Sequence, residues 1–118
     1  MKKDRIEIQE ANLKLWHISL ISFKREAHDD IREETYVRLQ KLAQYCGGRD
    51  AGIIFWQVGK NMDLRKGVHL VVVSAFEDIE ALEKYKRHPE HKKITDTLRE
   101  IADWQIGDIQ VMYPASGA

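Results

Sequence analysis

The run 13–24, LKLWHISLISFK, is largely apolar on both parities of a strand, and a strand of that kind must be covered on both faces. Leu15, His17, Ser19, Ile21 and Phe23 share one parity; Trp16, Ile18, Leu20 and Ser22 share the other. Residues 51–59 (AGIIFWQVG) repeat the pattern, with Ile53 and Phe55 set against Ile54, Trp56 and Val58. Residues 67–76 (GVHLVVVSAF) are the most β-branched run, and 104–113 (WQIGDIQVMY) supply a fourth strand with Gly107 as a candidate bulge or close-approach point.

Two helical stretches separate these strands. Residues 27–47 carry Ile31, Thr35, Leu39, Leu42 and Cys46 at helical spacing, Asp29 or Asp30 as a cap, and Gly47-Gly48 as a stop. The second stretch, 77–102, is interrupted by Tyr85-Lys86-Arg87-His88-Pro89-Glu90-His91. Proline pushes the residue before it out of the α region and is itself well suited to a first helical position, so the sequence predicts a bend at His88. Ile79, Leu82 and Tyr85 share a face before the bend; His91, Ile94, Leu98 and Ile101 share one after it. Tyr85 and His91 are therefore expected to point inward.

The resulting order, β-α-β-β-α-β, is that of an α+β, ferredoxin-like fold, a four-stranded antiparallel sheet with its helices on one face. Helices then cover one side only. The economical cover for the other side is a second copy of the same sheet, which predicts a homodimer closed into a dimeric α/β barrel. Trp16, Ile18 and Leu20 are expected on the shared face, and His17 and Ser19 beneath the helices. The expected organisation is an N-terminal arm (1–12), one domain (13–113) and a flexible tail (114–118), since 118 residues leave no room for a second domain.

Composition excludes several function classes. Nineteen basic residues balance nineteen acidic ones without a long block of either, which argues against nucleic-acid binding. The single cysteine, Cys46, excludes an internal disulfide framework and a multi-cysteine zinc site, and suits a reducing compartment. No 18 apolar residues follow one another, so no membrane span is expected, and the chain reads as a soluble, cytoplasmic protein.

Three segments together resemble the stress-responsive A/B barrel (Dabb) family. They are His17 ahead of Ile18-Ser19-Leu20-Ile21-Ser22-Phe23-Lys24, the run Val71-Val72-Val73-Ser74-Ala75-Phe76-Glu77-Asp78, and Tyr85-X-X-His88-Pro89-X-His91. The resemblance implies ferredoxin-like protomers whose sheets pair face to face. That family includes olivetolic acid cyclase, a plant polyketide cyclase that closes a ring by aldol condensation, and its catalytic histidine, tyrosine and second histidine match His17, Tyr85 and His91. The extra N-terminal segment, Trp16 before the histidine and a longer third strand imply a different pocket lining.

The candidate site is accordingly His17, Tyr85 and His91, converging between helix and sheet in a pocket lined by Ile21, Phe23, Ile94 and Leu98. Neutral imidazoles there would accept protons and the phenol would donate to an enolate oxygen, in cyclase- or lyase-like chemistry on a small apolar or polyketide-like ligand. The bland reading is that each is a satisfied core residue. Other readings are a non-catalytic ligand-binding or stress-protective oligomer, a purely structural oligomer, and a monooxygenase of the same barrel type. No cofactor is expected, and no metal, because no carboxylate accompanies the histidines at a familiar ligand spacing. His88 reads as structural and His28 as a solvated loop residue. His69, on the parity of Val71 and Val73, is assigned either to the pocket or to the dimer face.

Overall fold

The structure, a computed structural model, describes residues 13–112. The expected arm (1–12) and tail (114–118) lie outside the described residues. The elements run β1 (Leu13–Phe23), α1 (Asp29–Tyr45), a 3-10 turn (Gly48–Ala51), β2 (Ile53–Lys60), β3 (Leu70–Phe76), α2 (Ile79–Arg87), α3 (Pro89–Ile101) and β4 (Ala102–Met112). The sheet order is β2-β3-β1-β4 with every neighbouring pair antiparallel, as the ferredoxin-like reading requires.

One parity of the sheet meets the helices. Ile21, Leu70, Val72 and Phe76 from the strands pack with Leu39 and Leu42 of α1, Leu82 and Tyr85 of α2, and Ile94 and Leu98 of α3 in one core. Each such side chain contributes roughly 1.5–3 kcal/mol by leaving water. Trp56 ties β2 to α1 by donating its indole N–H to the Leu39 carbonyl at 3.0 Å. On the other parity Trp16, Ile18, Leu20, Val71 and Val73 are only half-covered, and Ile109 is 49% exposed. The Trp16 and Phe55 rings pack on that face with centroids 5.3 Å apart.

Several local expectations are corrected. The N-cap of α1 is His28, whose side chain makes no capping bond; Asp29 and Asp30 fall in the first turn, where the helix dipole still favours them. β3 starts at Leu70 because Gly67 adopts a positive φ of 78° and Asn61 holds the preceding loop by donating to the Val68 and Asp63 carbonyls. Gly107 forms no bulge, since Ile18↔Gly107 belongs to an unbroken register; the irregularity lies in β2, between Ile53 and Phe55. β4 begins at Ala102, where α3 passes directly into extended backbone.

The bend forms as the proline pattern dictates. His88 is extended (φ −63°, ψ 137°), ends α2 and caps α3 by accepting the Glu90 N–H on Nδ1 at 3.1 Å. Among the described residues no helix is long and apolar enough to cross a membrane.

Pro89 is exposed, whereas Leu98 is 4% exposed in the core. Pro89→Ala is expected to cost about 0.4–1 kcal/mol, through greater freedom of the unfolded chain. Leu98→Ala leaves a cavity and is expected to cost about 2–5 kcal/mol. Denaturant titration of both variants checks this; equal losses would contradict it.

Candidate functional site

His17 lies on the helix-facing parity of β1 and is 4% exposed. Its cross-strand partners are Ser74 on β3 and Asp108 on β4. Residues directly opposite on neighbouring antiparallel strands share a face, so the ladder itself places the Asp108 carboxylate against the imidazole. His17 Nδ1 meets Asp108 Oδ1 at 2.5 Å. A carboxylate accepts, so Nδ1 carries a hydrogen, and in the neutral ring Nε2 holds the lone pair. The other carboxylate oxygen lies 3.6 Å from Lys86 Nζ at the end of α2. Buried Ser74 fixes the strand beneath the ring by donating its hydroxyl to the His17 carbonyl at 2.8 Å.

Tyr85 enters from α2, packed among Phe76, Trp56 and His17 with ring centroids 5.2, 5.8 and 6.1 Å away. Burial, with a smaller contribution from Cys46, pushes its phenol well above the ordinary tyrosine range, so it is a hydrogen-bond donor at any physiological pH. Cys46, 3% exposed, is itself raised to about 11 by burial first and then by the charge of Glu90, which makes it a packing residue and a poor nucleophile.

His91 lies in the first turn of α3, its ring centroid 4.5 Å from that of Tyr85. Its Nδ1 donates to the Lys86 carbonyl at 3.0 Å, which the break before Pro89 frees from the α2 ladder. Nε2 is again left with a lone pair. Burial lowers the imidazole below its ordinary value, the Lys86 carbonyl opposes the shift, and the charges of His17, Lys86 and His88 reinforce it.

The three predicted residues line one cavity of about 40 Å³, together with Ile21, Ile94 and Leu98. That is room for roughly three water molecules. It also touches half-exposed Ile106. Phe23, expected in this lining, instead walls a separate pocket at the end of β1. His69 is there too, accepting the Phe23 N–H, and so lies neither in the site nor on the open face to which the parity of Val71 and Val73 pointed. Asp108 is the residue of the candidate site that the sequence reading missed. Its signal was a charged residue on the parity of Trp104 and Ile106 in the last strand.

Comparison with known proteins places this chain in a family. A family model described as the stress responsive A/B barrel domain, Dabb, matches residues 15–111. An uncharacterised protein of Streptomyces coelicolor is 32% identical over 65 residues, 54% of this chain and 67% of that protein. Among solved structures, a Dabb family protein of Mesorhizobium loti with a ferredoxin-like fold superposes with a TM-score of 0.65 at 17% identity, covering 85% of this chain and 96% of that one. A dimeric ferredoxin-like protein of Thermobifida fusca gives a TM-score of 0.68 at 18% identity over 86% and 92% of the two chains. A hydroxynitrile lyase of Passiflora edulis gives 0.72 at 10% identity over 87% and 96%. At these identities the structural likeness is one of fold alone. The family model spans nearly all the described residues, and the chain belongs to the stress responsive A/B barrel domain family.

Proposed function

We propose that this chain works as a homodimer whose protomers each bind a compact carbonyl compound between helices and sheet and move a proton on it. The observation that supports this reading is the convergence of His17, Tyr85 and His91 on one cavity, with His17 held by Asp108. In their neutral forms the two imidazoles hold a lone pair on Nε2 and serve as bases, and a phenol that stays protonated serves as donor to a developing enolate oxygen. In the cycle proposed, an imidazole takes the proton α to a carbonyl, Tyr85 steadies the enolate, and the enolate carbon adds to a second carbonyl. The imidazolium then returns its proton to the new alkoxide.

The size of the cavity favours a compact ligand over a polyketide-sized one, since sites for drug-sized molecules span roughly 300–1,000 Å³. The hydroxynitrile lyase neighbour lends support to lyase-type chemistry on this scaffold. The dimer reading draws support from the half-covered apolar face and from the dimeric neighbour of Thermobifida fusca.

Three measurements test the reading. Exchange of α-protons of a small 1,3-dicarbonyl for deuterium, followed by NMR, is expected to be accelerated by the protein. His17→Ala and His91→Ala should each lose about 10²-fold or more of that rate with the fold intact. Binding without exchange would reduce the protein to a ligand-binding module; neither would overturn the proposal. Light scattering should give a dimer, and Ile18→Asp, which puts an unpaired charge on the shared face, should yield monomeric, aggregated or unfolded protein.

The depressed His91 also sets a pH dependence. Its folded value lies below the ordinary histidine value of 6.5, so the unfolded chain binds the proton more readily. Its contribution is whole above 6.5 and lost as pH falls through the folded value. His69 acts in the same direction. Stability by denaturant titration should therefore drop between about pH 7.5 and about pH 5.5, and the drop should shrink in His91→Phe. A rise in stability over that window would contradict the assignment.

A further inference from the structure

At the C-terminal end of β1 lies a second concavity of about 420 Å³, walled by Phe23, Tyr36, Leu64 and Leu70, with Arg32 and His69 among its polar groups. The Arg32 guanidinium is half-buried and fixed. Its Nε donates to the Ala27 carbonyl at 2.7 Å, its Nη2 to the Lys24 carbonyl at 3.1 Å, and its carbon sits 5.3 Å from the Phe23 ring centroid. Those partners are uncharged, so they hold the cation without neutralising it. Among the described residues no carboxylate lies within ion-pair distance of it.

The backbone sets the tautomer of His69. Its Nδ1 accepts the Phe23 N–H at 2.9 Å, so the neutral ring carries its hydrogen on Nε2. That Nε2 stands 3.4 Å from Arg32 Nη1. Two donors therefore converge where neither can accept from the other. Burial and the charge of Arg32 hold the imidazole below its ordinary value, which keeps it in this neutral form.

We propose that Arg32 and His69 bind the carboxylate head of a small amphiphile whose hydrocarbon tail lies against Phe23, Tyr36, Leu64 and Leu70. Two coplanar oxygens match two adjacent donors, one of them charged. The volume falls in the range of small-molecule sites, and an apolar wall beside fixed polar groups is their usual make-up. The acidic side chains on the rim select the charge. Glu33 is bonded to Lys60, and Asp29 remains as a negative charge that a phosphate dianion would meet at greater cost than a carboxylate.

The test is titration of octanoate into isotopically labelled protein, read by NMR. Saturable shifts are expected at the His69 Nε2–H and the Phe23 amide, with contacts from the alkyl chain to the Leu64 methyls. Octanol, with the tail but no charge, and sulfate, with charge but no tail, should bind at least about tenfold more weakly. Leu64 is 61% exposed, so Leu64→Glu leaves the fold intact and sets a like charge at the rim; it should weaken octanoate about tenfold or more. The proposal is overturned by unsaturable or absent shifts at His69. Equal binding of octanol, unchanged affinity in Leu64→Glu, or shifts centred on His17 would overturn it as well.

Discussion

The pairing of β1 with β4 sets an imidazole and a carboxylate opposite one another on the inward face of the sheet, and the geometry of the candidate site rests on that contact. A buried histidine without a partner rotates and exchanges tautomers; one held at 2.5 Å by a carboxylate is fixed in both respects. The carboxylate is 35% exposed and faces Lys86, so the dyad is not a wholly desolvated charge pair. His17 and Asp108 are 91 residues apart, and only the antiparallel register of the first and last strands brings them together.

The bend before Pro89 has a similar role on the helical side. Breaking the helix frees the Lys86 carbonyl, and that carbonyl fixes His91 as Asp108 fixes His17. Tyr85, on the last turn before the break, lies between the two imidazoles, 6.1 Å from one ring and 4.5 Å from the other. A straight helix would carry its backbone bonds through this point and leave His91 without that acceptor. The proline therefore acts on the site through backbone hydrogen bonding as well as through shape.

Much of this was legible in the sequence because it depends on local rules. Alternation gave the inward face of His17, helical spacing gave Tyr85 and His91, and the proline rule gave the bend. What depends on distant pairing was not legible. Asp108 gains its meaning only from the β1–β4 register, and His69 left its expected face because β3 begins one residue after it. The size of the cavity follows from how Trp56, Tyr85 and Trp104 fill the space beneath the helices, which no periodicity encodes.

On the proposed function, the fold presets its proton acceptors by fixing tautomers. Correlation of ring nitrogens and hydrogens by NMR in labelled protein near neutral pH tests it directly. The account predicts hydrogen on Nδ1 in His17 and His91, with the His17 proton shifted far downfield by Asp108, and hydrogen on Nε2 in His69. Hydrogen on Nε2 of His17, or an even mixture of its tautomers, would contradict it.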